Sequence, residues 1–246
     1  MPSEIDTRDV EPGLLALPRA PSGAAPGCVL VHDVWGLGDH ARDLTRRLAA
    51  EGFAVLGVDL YRNLGEVSIS DPGEWMRGLS DPDILADLGA AARLLADLPE
   101  TGAHAVGVVG FCMGGSYALL AGCERSPGLE RVGAVVPFYG LLSHDHGLLA
   151  AEGGLDPSRK PRSPLAAAHE LRCPLLGFFG GVDPYVPLED VRSLRETVAA
   201  RPFETEVTVY PEAGHAFVND TRPDAYRETE AREAWGRMTA FLRRHL

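Results

Sequence analysis

Apolar residues along the chain fall into short continuous runs separated by longer amphipathic stretches. "CVLVH" (28–32) is bounded by glycine and apolar throughout, and it predicts a buried strand. "DHARDLTRRLAAEG" follows it with Leu44, Leu48 and Ala49 at helical spacing and Gly52 as a stop. "FAVLGVDL" predicts a second strand, and residues 83–98 predict a helix with Ile84, Leu85, Leu88, Leu94, Leu95 and Leu98 on or beside one stripe. The alternation continues with strand 105–111, a helix opening at "GGSYALLAGC", strand "RVGAVVPFY" and strand "CPLLGFFG". A helix over 188–200, strand 206–210 and a last helix over 224–245 complete it. Strands without a polar face, alternating with helices, imply a mostly parallel sheet covered on both sides. Right-handed crossovers make this a doubly wound α/β sheet with helices on both faces. Ligands in such sheets bind beyond the C-terminal strand ends, so functional residues are sought just after each strand.

The stretch 141–163, "LLSHDHGLLAAEGGLDPSRKPRS", breaks the alternation. A connection that long inside one domain is usually functional or mobile, and it reads as a lid or substrate-shaping loop in a single domain spanning 1–246.

Composition narrows the possibilities. With 45% apolar and 24% charged residues, the 246-residue chain can bury an ordinary core. A net charge of −12 disfavours phosphate backbones, so nucleic acid is not an expected partner. The longest apolar runs are far too short for a bilayer span, and the acidic N-terminus lacks a signal-peptide pattern. A cytoplasmic protein is the expectation, and the sequence carries no signal for an oligomeric state. Cys28, Cys112, Cys123 and Cys173 lie outside any C-x-x-C pair, so neither a disulfide frame nor a zinc site is expected. His144 and His146 in "HDH" lack a third ligand and read as solvated rather than metal-binding.

Candidate chemistry centres on "VVGFCMGGS" (108–116). Cys112 sits directly between a strand and a helix, with Gly110, Gly114 and Gly115 around it. A tight strand-to-helix turn thrusts the middle side chain into the cleft, and the helix N-terminus favours a thiolate there. Ser116, a turn further along, is a poor nucleophile candidate. Asp183 in "GFFGGVDPYVP" and His215 in "YPEAGHAF" each follow a strand. Either alone reads as an ordinary turn or surface residue. In the order nucleophile, acid, histidine they form the sequence of an α/β-hydrolase triad. Such an arrangement would attack a carbonyl through the cysteine, form a thioester and release it to water. The backbone N–H groups of Met113 and Val34 are the candidate oxyanion donors.

These blocks resemble the dienelactone hydrolase family: "HDVWGLGDHARDLTRRLAAEGFAVLGVDLYR" (32–62), "VGVVGFCMGGSYAL" (106–119), "FFGGVDPYVP" (178–187) and "EAGHAFVND" (212–220). The resemblance covers nearly the whole chain from about residue 14. It implies an α/β-hydrolase fold, no cofactor, and a small-molecule ester or lactone as substrate. It also implies that Asp33 stands where the family carries an acidic residue assisting the nucleophile; a plain turn residue is the competing reading. Trp35 matches the family's aromatic–glycine pair, and Trp35, Tyr139, Tyr185 and Phe217 are candidate substrate-lining residues. The family's carboxylate-binding arginines are unmatched: Asn219 takes one position, "EVSISDPGEW" holds none, and Arg77 and Arg222 are near but unaligned. An anionic dienelactone is therefore disfavoured. The competing functional class is a redox sensor built on the Cys112 thiol, which would have no use for Asp183 and His215.

Overall fold

The structure is a computed structural model and describes residues 5–19, 24–102 and 105–246. The chain opens with an antiparallel hairpin, β1 (Ile5–Val10) and β2 (Gly13–Pro18). Then come β3 (Gly27–Val31), α1 (Asp39–Ala50), β4 (Ala54–Val58), α2 (Pro72–Gly78), α3 (Asp81–Asp97) and β5 (Val106–Phe111). The remainder runs α4 (Met113–Cys123), β6 (Val132–Phe138), α5 (Pro164–Ala167), β7 (Leu175–Gly180), α6 (Leu188–Ala199), β8 (Thr205–Tyr210) and α7 (Glu228–His245).

Among the described residues the strands form one sheet in the order β1-β2-β4-β3-β5-β6-β7-β8. From β4 to β8 all pairings are parallel; the two pairings made by β2, with β1 and with β4, are antiparallel. The interior strands β3, β4, β5 and β7 are buried at every residue, which is why they read as unbroken apolar runs. Their side chains alternate between two cores. Val29, Val31, Val106 and Val108 pack with α3, α4 and α6, whereas Cys28, Leu30, Val109 and Phe111 pack with α1 and α7. Helix α4 is buried along its whole length beneath the sheet, so it shows no amphipathic stripe.

The predicted α/β-hydrolase architecture is therefore present. The N-terminal hairpin was not predicted, because β1 (IDTRDV) is an exposed, charged edge strand without an apolar face. Short α2 was also missed, although Asp71 caps it through Gly73 and Glu74 N–H and Pro72 opens it.

The chain reverses its direction of travel across the sheet between β3 and β5. From β3 it steps out to β4, and β5 begins the march the other way on the opposite side of β3. Loops after β3 and β5 thus diverge from a shared point and leave a crevice. The register places Val31 beside Gly110, so "HDVWG" and Cys112 emerge side by side.

Candidate active site

Cys112 holds a backbone conformation that few side chains adopt, φ 52° and ψ −116°, as the residue before α4. That strain persists because its surroundings fix it. The Cys112 N–H donates to Phe138 O at 3.0 Å, and the Gly115 N–H donates back to Cys112 O at 2.9 Å. The flanking glycines are steric necessities. A Cβ on Gly110 would lie 1.9 Å from Gly114 O, and one on Gly114 would lie 2.3 Å from Val31 O and 2.5 Å from His32 O. Strand β3, the turn and α4 therefore touch backbone to backbone. Ser116 is committed elsewhere, its hydroxyl donating to Leu141 O at 2.8 Å.

Asp183 and His215 arrive from the ends of β7 and β8. His215 Nδ1 and Asp183 Oδ2 are 2.7 Å apart, and the carboxylate side chain is wholly buried. The other oxygen, Oδ1, accepts the Tyr185 N–H at 2.8 Å, which fixes the carboxylate plane. Burial pushes the His215 pKa down, but the charge on the Cys112 sulfur and the Asp183 hydrogen bond outweigh it and hold the ring up at about 10. The sulfur thus lies close enough to act on the imidazole. Nε2 is buried and completes no hydrogen bond of regular geometry, a contact that in unliganded sites commonly tightens only around substrate.

Among the hydrogen bonds of the described residues, the Met113 and Val34 N–H groups take no internal partner. One hydroxyl touches both residues: Tyr61 OH donates to Val34 O at 2.9 Å and lies 3.5 Å from the Met113 sulfur. The structure thus brings Cys112, Asp183, His215, Met113 and Val34 to one rim of the sheet.

Residues 12–246 match the model of the dienelactone hydrolase family. The chain belongs to the dienelactone hydrolase family. A Salmonella typhimurium protein assigned as a carboxymethylenebutenolidase is 34% identical over 239 residues, covering 95% of this chain and 83% of that protein. A Bradyrhizobium protein assigned as a 2-oxo-3-(5-oxofuran-2-ylidene)propanoate lactonase is 31% identical, covering 92% of this chain and 86% of that one. A solved Klebsiella pneumoniae structure assigned as a dienelactone hydrolase superposes with a TM-score of 0.82 at 29% identity, over 98% of both chains. Membership makes this protein an ester or lactone hydrolase.

The remaining predicted positions in this dienelactone hydrolase family member separate by burial. Trp35 (59% exposed) and Tyr185 (40% exposed) stand open at the rim, and the Tyr185 ring meets His215 edge-on at 5.1 Å. Tyr139, at φ 37°, is buried and packs edge-on against His215 at 5.0 Å. Phe217 is fully buried between Tyr139 and Tyr210 and presents no surface to the cleft. Asp33 is a turn acceptor: its Oδ1 takes the Trp35 N–H at 2.9 Å, and among the described residues no hydrogen bond joins it to Cys112. Asn219 is likewise spent on its own turn, accepting the Thr221 N–H and hydroxyl. Arg77 donates to Leu148 O at 2.8 Å, and half-exposed Arg222 pairs loosely with Asp224 at 3.4 Å.

The stretch 141–163 is tied down at several points. His146 pairs with Asp190 at 2.7 Å, so its reading as merely solvated is corrected: α6 supplies a carboxylate that sequence proximity could not reveal. Lys160, the only lysine in the chain, is buried with its ammonium 2.5 Å from Asp81 and 3.1 Å from Tyr117 OH. Two residues that hold the turn after β3 had no sequence signal, His32 and Tyr61. Their partners come from another strand end, so no local pattern marks them. No helix among the described residues is long and apolar enough to cross a membrane.

Proposed function

We propose that the protein hydrolyses carboxylic esters or lactones through Cys112, with a thioester acyl-enzyme intermediate. The observation that carries this reading is the strained turn that presents Cys112 beside a histidine already oriented by a buried carboxylate. His215 accepts the thiol proton, and the imidazolium is stabilised by Asp183, which also dictates that Nδ1 carries hydrogen and Nε2 does the proton transfer. The thiolate sulfur bonds to the carbonyl carbon, and the carbonyl electrons move onto oxygen, where the Met113 and Val34 N–H groups receive them. As the carbonyl re-forms, the C–O bond to the leaving group breaks and His215 protonates the departing alkoxide. In a lactone that alcohol stays attached to the acyl chain. Water then attacks the thioester, giving its proton to His215, and the carboxylic acid leaves as the C–S bond breaks.

Steady-state turnover of short activated esters and lactones tests this. Cys112→Ala and His215→Ala lose hydrolysis, Cys112→Ser keeps a small residual rate because the oxyanion donors remain, and iodoacetamide inactivates the native protein. Near-native turnover by Cys112→Ala or His215→Ala refutes the assignment.

A further inference from the structure

Two successive peptide units form the turn after β3, and their four polar groups have unequal fates. The first unit joins Asp33 to Val34 and carries the Asp33 carbonyl and the Val34 N–H. Asp33 O lies 2.5 Å from His32 Nδ1, and it also accepts the Gly36 N–H at 3.3 Å. The second unit joins Val34 to Trp35. Its carbonyl accepts Tyr61 OH at 2.9 Å, and its N–H donates to Asp33 Oδ1 at 2.9 Å. Three of the four groups are held, and the Val34 N–H alone is left open for an incoming oxygen.

The tautomer of His32 follows from its second nitrogen. Nε2 accepts the Leu60 N–H at 3.2 Å, so it bears no hydrogen. The proton therefore resides on Nδ1 and points at Asp33 O. Burial, opposed by the Asp33 carbonyl and nearby carboxylates, lowers the affinity of the ring for a second proton and keeps it neutral. A hydrogen bond received at a carbonyl polarises its amide, so donation to Asp33 O strengthens the Val34 N–H as a donor.

Both side chains are themselves anchored to the end of β4. Leu60 N–H holds His32, and Asp59 Oδ1 accepts the Tyr61 N–H at 2.9 Å. The rings brace one another edge-on at 4.9 Å, and Trp75 of α2 closes on Tyr61 at 5.4 Å. The position of the donor is thus set from a neighbouring strand rather than by the turn alone.

We propose that His32 and Tyr61 are positioning residues for oxyanion stabilisation: His32 fixes and polarises the peptide that bears the Val34 donor, and Tyr61 fixes the next peptide while bridging to Met113. This rests on the hydrolytic reading above. It also gives Asp33 a role as the third member of the clamp.

The test compares His32→Asn, His32→Gln and Tyr61→Phe in the full chain, with Cys112→Ala alongside, on one short activated ester. The Asn amide nitrogen takes the place of Nδ1 and keeps the bond to Asp33 O; the Gln oxygen takes the place of Nε2 and keeps only the bond from Leu60. Losing an oxyanion donor costs about 100- to 1,000-fold in kcat, and misplacing one by an ångström up to about 100-fold. Tyr61→Phe and His32→Gln are expected to lose about 10- to 100-fold in kcat with KM within about threefold. His32→Asn loses at least about fivefold less than His32→Gln. Alkylation of Cys112 by iodoacetamide forms no oxyanion, so its rate is expected to stay within about twofold in all three variants. Equal losses in His32→Asn and His32→Gln, a native kcat in Tyr61→Phe, or alkylation falling in step with kcat overturns the clamp. If Cys112→Ala still turns over, the nucleophile assignment has failed; if it is inactive while the clamp variants keep full kcat, the clamp alone has failed.

Discussion

Replacing Asp183 by Asn changes one atom, and the structure says which way the new amide must face. Asp183 Oδ1 accepts the Tyr185 N–H at 2.8 Å, so the Asn carbonyl oxygen must stay there. Its NH2 group then replaces Oδ2, 2.7 Å from His215 Nδ1. Two donors cannot face each other at that distance. His215 is driven to the tautomer with hydrogen on Nε2, where it no longer accepts a proton from the Cys112 thiol. The same change removes a buried carboxylate that stabilises imidazolium. In a triad, the wrong tautomer with intact geometry lowers kcat by about 10,000-fold, or about 5 kcal/mol of barrier. The expectation for Asp183→Asn is a loss of that order in kcat on a short activated ester, a native fold retained by circular dichroism at the assay temperature, and an imidazole whose 15N spectrum shows hydrogen on Nε2. A variant that is folded, shows the Nε2 tautomer and still works within tenfold of the native rate refutes the role given to His215.

The other expectations concern charge and packing. His215 is held up at about 10 against burial by the Cys112 sulfur charge and Asp183. A raised folded pKa contributes stability that is complete below the ordinary histidine value and is lost as pH rises through about 10. Removing the sulfur in Cys112→Ala should therefore lower the His215 titration midpoint by NMR and shrink that alkaline loss; an unchanged midpoint would show that the two groups do not interact. Lys160→Met leaves Asp81 buried without its cation and should cost about 3–5 kcal/mol in chemical denaturation. The double replacement Lys160→Met with Asp81→Leu should recover most of that, and no recovery would show that the ion pair is not the source of the loss. Gly114→Ala drives a Cβ to within 2.3 Å of Val31 O, and a loss of about 1–3 kcal/mol is expected in the same assay, whereas native stability would mean the turn yields freely.

The strands at the centre of the sheet were legible because burial on both faces leaves no room for polar residues. Edge strand β1 was not, since exposure removes the constraint that writes such a signature. Cys112, Asp183 and His215 were singled out by motif context and chain order; the geometry brings Asp183 to 2.7 Å from His215, and the charge at Cys112 acts on the same ring. Tyr139 and Phe217 were read as candidate substrate-lining residues, but both are buried and Phe217 is packed wholly into the core, a depth that no local pattern in the chain encodes. Asp33 was read equally as a nucleophile-assisting acid and as a turn residue, and the structure adds the turn contact of its Oδ1 with the Trp35 N–H. His32 and Tyr61 were invisible for a different reason. Their meaning depends on the pairing of β3 with β4, Val31 beside Val58, which places their partners across a gap of some thirty residues. The same holds for Lys160 and His146, whose acidic partners come from helices remote in sequence.

Covalent capture addresses the nucleophile most directly. The native protein is quenched in acid during turnover of an activated ester, and the intact chain and its peptides are weighed. The hydrolytic account predicts a mass increase equal to the acyl group, confined to the peptide containing Cys112 and absent from Cys112→Ala. An acyl group found on Ser116 or any other residue, or undiminished turnover by Cys112→Ala, would contradict it.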